Sequence, residues 1–139
     1  MTVEREIKTH EVEGDLPQNQ LRVCVMDKPC AGGAPHAYAI SDFNLRANAS
    51  YGVFDYPPIS VRTLTVLFQN GPIQEKGLNG VTHEALLAIL IDRLEGFQSG
   101  EYPSEDNATA LAYLQLALEA LQTRTRKRLA RGVEGTLTK

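Results

Sequence analysis

The chain has 139 residues, 42% of them hydrophobic, and its 14 lysines and arginines against 17 aspartates and glutamates leave a formal net charge of −3. That length suits one modest core, and the mild acidity argues against a chain that binds nucleic acid by bulk electrostatics. No apolar run is long enough to span a bilayer, and the charged opening over residues 1–15 lacks the apolar centre of a secretory signal, so a cytosolic protein is expected. Cys24 and Cys30 are too few for a zinc site unless histidines join them. His10, His36 and His83 show no ligand spacing, which leaves two free thiols and no metal site as the expectation.

In chain order, residues 1–18 are expected to be a flexible segment ending near Pro17. Leu21–Met26 alternates, with Leu21, Val23 and Val25 on one face, and reads as a strand. A glycine-bearing loop leads to a second strand candidate, His36–Ile40. Residues 44–58 are irregular, with room for a short strand at Gly52–Phe54. Ser60–Phe68 is the clearest strand, placing Leu64, Val66 and Phe68 on one face and Thr63, Thr65 and Leu67 on the other. Residues 69–80, polar and glycine-bearing, link the strands to the C-terminal half of the chain.

From residue 79 the pattern becomes helical. Thr82 is a good N-cap, Glu84 suits the first turn, and Leu87, Leu90, Ile91 and Leu94 make an apolar face. Leu86, Ile89 and Phe97 lie off that face, and a helix so broadly apolar is buried on more than one side. Gly96, Gly100 and Pro103 end it. Ser104 caps a second helix in which Leu111, Leu114, Leu118 and Leu121 form the seam of an antiparallel pair, running to Ala130 before Arg131-Gly132. At a rise of 1.5 Å per residue the second helix is roughly 39 Å long against roughly 25 Å for the first. Its overhang is basic: Arg124, Arg126, Lys127, Arg128 and Arg131. The expected class is α+β, a small N-terminal antiparallel β-sheet followed by a C-terminal antiparallel two-helix hairpin. The expected divisions are a flexible segment at 1–18, a β region at 19–78 and a hairpin at 79–139, together one compact domain.

Little of this points to catalysis. There is no glycine elbow around Ser41 or Ser50, no P-loop and no GxGxxG, and no catalytic residue is expected. The basic helix end has two readings. Cations there complement the helix dipole, or Arg124 and Arg128, four apart, offer paired forks to phosphate oxygens. Asn107 falls on the leucine stripe, where it either satisfies backbone groups in the first turn or reads the edge of a base. Phe97 is either a core aromatic at a helix end or a stacking platform.

The segments GVTHEALLAILIDRLEGFQSG, DNATALAYLQLALEAL and RTRKRLARGVEGT resemble the phage helical-hairpin domain shared by the Thoeris anti-defence sponge and the anti-CBASS sponge. LFQNGPI and the strand-rich N-terminal region are more similar to the Thoeris type. The resemblance implies a non-enzymatic trap, without cofactor, for the messenger an immune sensor makes in the cytoplasm of an infected bacterial host. The Thoeris type captures glycocyclic ADP-ribose, and some relatives bind cyclic di- or trinucleotides at separate sites in a hexamer, so self-association as a dimer or trimer of dimers is implied. On the same resemblance Phe97, Asn107, Arg124 and Arg128 line the ligand pocket. The turn YPSEDN departs from the cysteine-containing turn of many relatives.

Asn107 and Arg124 are seventeen residues apart on one helix, hence roughly 25 Å apart along its axis. One small ligand cannot touch both on one chain, so a shared pocket needs two subunits packed antiparallel. On the expectation that the overhang has few packing partners, truncating Arg128 leaves folding intact. The alternative function is a phage nucleic-acid-binding or structural protein that uses the basic end for phosphate contacts.

Overall fold

A computed structural model describes residues 2–139 and confirms the α+β class. The chain forms two units, divided after Asn70.

The first unit is a four-stranded antiparallel meander in the order β1 (Arg5–Ile7), β2 (Arg22–Val25), β3 (Ala37–Ser41), β4 (Thr63–Leu67). Within residues 2–18, Arg5–Ile7 is a strand. Arg5 pairs with Val25 and Ile7 with Val23, which makes β1 an edge strand. With alternating charges and one apolar residue, β1 carries no strand signal of its own and is set by its neighbour. Between β1 and β2, the one-turn helix α1 (Leu16–Asn19) is tied back by reciprocal bonds of 3.0 and 2.8 Å between Val12 and the Asn19 amide. Val25, 1% exposed, lies between Arg5 and Tyr38 in register and forms the core with Cys24. Burying such a side chain contributes about 1.5–3 kcal/mol. Beside them Tyr38 meets Phe68 edge-on, centroids 5.7 Å apart.

Gly52–Phe54 is not a strand. Asn44 and Asn48 accept from the backbone N–H two residues on, at 3.1 and 2.8 Å, and these Asx turns wind the chain into short 3-10 turns at Leu45–Ala47 and Tyr51–Val53.

In the second unit a short helix α2 (Ile73–Lys76) occupies what sequence read as a plain linker. The antiparallel pair follows, α3 (His83–Ser99) and α4 (Glu105–Ala130). Thr82 caps α3 through Ala85 N–H at 3.2 Å, and Ser104 caps α4 through Asn107 N–H at 3.0 Å. Between the helices, the Gln98 amide both donates to and accepts from the Ser104 backbone at 3.0 Å, which fixes the turn. The far end of α4 closes as a Schellman motif: Val133 N–H reaches Arg128 O, Gly132 N–H reaches Leu129 O, and Gly132 takes φ 70°.

The hairpin seam is Leu87, Ile91 and Leu94 on α3 against Leu111, Leu114, Leu118 and Leu121 on α4, all half-buried. Leu90, expected on the seam, is instead exposed while Leu86 turns inward. Among the described residues no apolar side chain of either helix is fully buried, and Ile89, Leu90, Tyr113 and Leu116 stand exposed. Two helices alone can cover only one stripe of each other.

Candidate functional site

The hairpin turn makes one end of the second unit. α3 ends at Ser99, and the chain crosses Gly100–Pro103 before α4. Gly96, one turn before the end of α3, has open space where a Cβ would stand. An open hollow of about 240 Å³ results, lined by Arg93, Gly96, Phe97, Gly100, Glu101 and Tyr102. Phe97 is 46% exposed in it, so it is not a core aromatic in this chain. Arg93, one turn earlier, lies over its ring with the guanidinium carbon 5.5 Å from the centroid. Arg93 and Tyr102 were missed from sequence. An arginine four residues before an aromatic on the same helix was the available signal.

Asn107 sits just beyond the turn, half-buried on the same stripe as the leucines. Ser104, not Asn107, does the capping, and the Asn107 amide makes no hydrogen bond to any described residue. Its polar edge is therefore available to a ligand.

Arg124 and Arg128 lie at the other end of α4 from Asn107, and the hollow's lining holds Phe97 but none of Asn107, Arg124 and Arg128. Arg124 is exposed and uncommitted among the described residues. Arg128 is different. It continues the stripe that runs through Asn107, Leu111, Leu114, Leu118, Leu121 and Thr125, and it is only 8% exposed. Its Nε donates to Glu134 at 3.1 Å, Nη1 to Thr138 O at 2.6 Å, and Nη2 to Val133 O at 2.8 Å and Thr136 O at 3.0 Å. The expectation that Arg128 lacks packing partners is overturned, because the chain after Gly132 folds back over it. Four of its five N–H groups are engaged, so no free fork remains.

That returning segment also holds α2. Gln74 reaches Glu134 O at 3.5 Å, and Gly135, at φ 78°, leaves a Cβ position 3.7 Å from the Gln74 side chain. Gly71–Gln74 and Arg131–Thr136 thus meet in one cluster.

In the first unit, the loop between β2 and β3 gathers Asp27, Cys30 and His36. Their ligating atoms lie within 4.8 Å of one another, and Cys30 Sγ is 2.9 Å from His36 Nδ1. Asp27 accepts from the backbone N–H groups of His36 and Ala37 at 3.0 and 2.9 Å. The Ala37 bond chiefly, then that of His36 and the nearby imidazole, holds the Asp27 carboxyl below its ordinary pKa against the opposing effect of burial. Spacings of three and six match no common ligand motif, and these side chains meet only because the loop closes on itself.

Over residues 62–126 the chain matches the family model described as the Acb2/Tad1 hairpin domain. The matched span includes Phe97, Asn107 and Arg124 and stops short of Arg128. The hairpin of this chain is thus similar to that domain over a little less than half of the chain. Over 72 residues it is 50% identical to Thoeris anti-defense 1 of Bacillus phage SBSphiJ7, covering 52% of this chain and 51% of that protein. It thus spans about half the length of the curated relative it matches.

Proposed function

We propose that this chain is a phage anti-defence protein that binds and sequesters a cyclic nucleotide immune messenger, glycocyclic ADP-ribose, without cleaving it, in the cytoplasm of the infected host. The observation that carries the reading is the exposed Phe97 ring in a hollow at the hairpin turn, with the uncommitted Asn107 amide in the first turn of α4, on a chain 50% identical over 72 residues to a Thoeris anti-defence protein. An aromatic face and an amide edge suit a purine base. Arg124 supplies a guanidinium fork to the pyrophosphate. Arg128 keeps one N–H for the ligand and fixes the helix end beside Arg124.

Within one chain the base-reading and phosphate-reading ends lie apart on α4, so the pocket is completed by a second copy packed antiparallel. Cyclic di- and trinucleotides, if captured, occupy other surfaces of that assembly. Against the nucleic-acid alternative, Arg128 of the basic overhang is folded into its own chain end.

Incubation of the protein with glycocyclic ADP-ribose, followed by heat denaturation and chromatography of the supernatant, tests the reading. Stoichiometric retention before heating and intact messenger after it are expected. Degraded messenger, or none retained, would refute sequestration.

A further inference from the structure

The Asp27–Cys30–His36 cluster lies in the strand unit, on residues the messenger reading leaves unused. Three different ligand types converge from one short loop, which is unusual for side chains with no shared task. The loop is already closed by its backbone. Cys30 N–H reaches Ala34 O at 3.1 Å, Gly33 N–H reaches Cys30 O at 2.8 Å, and Met26 N–H reaches Ala37 O at 2.9 Å. Gly32 and Gly33 take φ of 81° and 86°, the left-handed turn that lets Cys30 face back towards His36. His36 is buried at 9% exposure, and its main chain is anchored on both sides, N–H to Asp27 and O to Phe68 N–H at 2.8 Å.

We propose that Asp27, Cys30 and His36 form a binding site for a zinc-class divalent cation. Thiolate, imidazole and carboxylate together are the donor set of tetrahedral zinc rather than of calcium or magnesium, which take oxygen ligands. The donors are Cys30 Sγ, His36 Nδ1 and an Asp27 carboxylate oxygen. Oδ1 accepts from the His36 and Ala37 N–H groups at 3.0 and 2.9 Å, whereas Oδ2 has only a longer bond of 3.2 Å from His36 N–H and faces Cys30 Sγ at 3.9 Å, so Oδ2 is the coordinating atom. On tetrahedral zinc a sulfur and a nitrogen ligand stand about 3.5 Å apart. The sulfur, now 2.9 Å from Nδ1, therefore needs only a small outward swing, which an exposed cysteine can make. The bonds from Asp27 to the main chain orient its carboxylate as outer-shell contacts do in metal sites. Exposure of Cys30 leaves the fourth position to water. Because hydrogen bonds already close the loop, the metal-free protein is folded and the cation binds a preformed site.

Cobalt(II) is the probe, added to the full chain after chelator treatment. The expected result is one equivalent bound, with a near-ultraviolet thiolate-to-cobalt charge-transfer band and intense visible bands of tetrahedral cobalt, both displaced by one equivalent of zinc. Cys30→Ser should abolish the charge-transfer band, whereas Cys24→Ser, in the strand core, should leave it unchanged. Asp27→Asn keeps a carbonyl oxygen for the backbone bonds and so preserves the loop. It should weaken zinc more than the roughly 10- to 100-fold that outer-shell changes cost. Absence of the charge-transfer band, its survival in Cys30→Ser, or unchanged zinc affinity in folded Asp27→Asn would each overturn the assignment. The readout is independent of messenger binding.

Discussion

Arg128 shows how one side chain can organise a chain end. Its four hydrogen bonds all go to residues later in the chain, Glu134, Val133, Thr136 and Thr138, and three of the acceptors are main-chain carbonyls. Hydrogen bonds from a charged donor contribute about 1.5–3 kcal/mol each in favourable settings, although partners that regain water recover much of that. Glu134 keeps 31% side-chain exposure and rehydrates easily. Arg128→Ala is therefore expected to cost about 2–3 kcal/mol in urea denaturation, with new proteolytic sensitivity after Gly132. Arg128→Lys should recover only part, because an ammonium cannot serve acceptors spread over a planar fork. Unchanged stability in Arg128→Ala would show that the tail contact is not holding. Phe97 predicts the opposite split. Since it is half exposed, Phe97→Ala should leave the melting temperature almost unmoved while weakening messenger affinity by about 1–3 kcal/mol, the usual loss of a stacking platform. Calorimetry and thermal melts on the same preparation check both halves.

The elements differ in how much of their definition is local. α4 begins and ends where the sequence pattern places it, because Ser104 and Gly132 carry capping chemistry within a few residues. α3 stops at Ser99, with Gly100 as its C-cap, among the Gly96, Gly100 and Pro103 that the sequence offers as its end. Strand β1 was missed because three residues with two charges have no pattern until β2 pairs with them. The Gly52–Phe54 strand was wrongly expected because aromatic content outweighed the Asx turns at Asn44 and Asn48. Phe97 and Asn107 were legible as oddities of their helices. The burial of Arg128 was not, because it depends on the chain turning back after a glycine, and neither was the Asp27–Cys30–His36 cluster, for the same kind of reason. Local capping also yields a test. Ser104→Ala removes the acceptor for Asn107 N–H and should cost about 1 kcal/mol by denaturant titration. Messenger affinity should fall as well, because the same turn positions the Asn107 amide. Ser104→Asp, which caps equally well, should restore both, and failure to restore affinity would separate Asn107 positioning from capping.

At the scale of the whole molecule, the hairpin lacks any fully buried apolar side chain among the described residues, while Ile89, Leu90, Tyr113 and Leu116 remain exposed. Such faces gain stability by association, and antiparallel packing of two copies would set Phe97 and Asn107 of one beside Arg124 of its partner. The arrangement makes a quantitative prediction. Phe97→Ala and Arg124→Ala each damage both sites of a symmetric dimer. In a mixed dimer, however, one site receives both substitutions and the other receives neither. Equal mixing with free exchange should therefore restore wild-type affinity in about a quarter of all sites. A pocket contained in one chain predicts no recovery, because every chain then carries a damaged site. Light scattering should show at least a dimer at micromolar concentration, and calorimetry of the mixture should show a tight fraction absent from either variant alone. A monomer by scattering, or a mixture that binds no better than its components, would reject the shared pocket while leaving single-chain capture to be judged by the Phe97 variant.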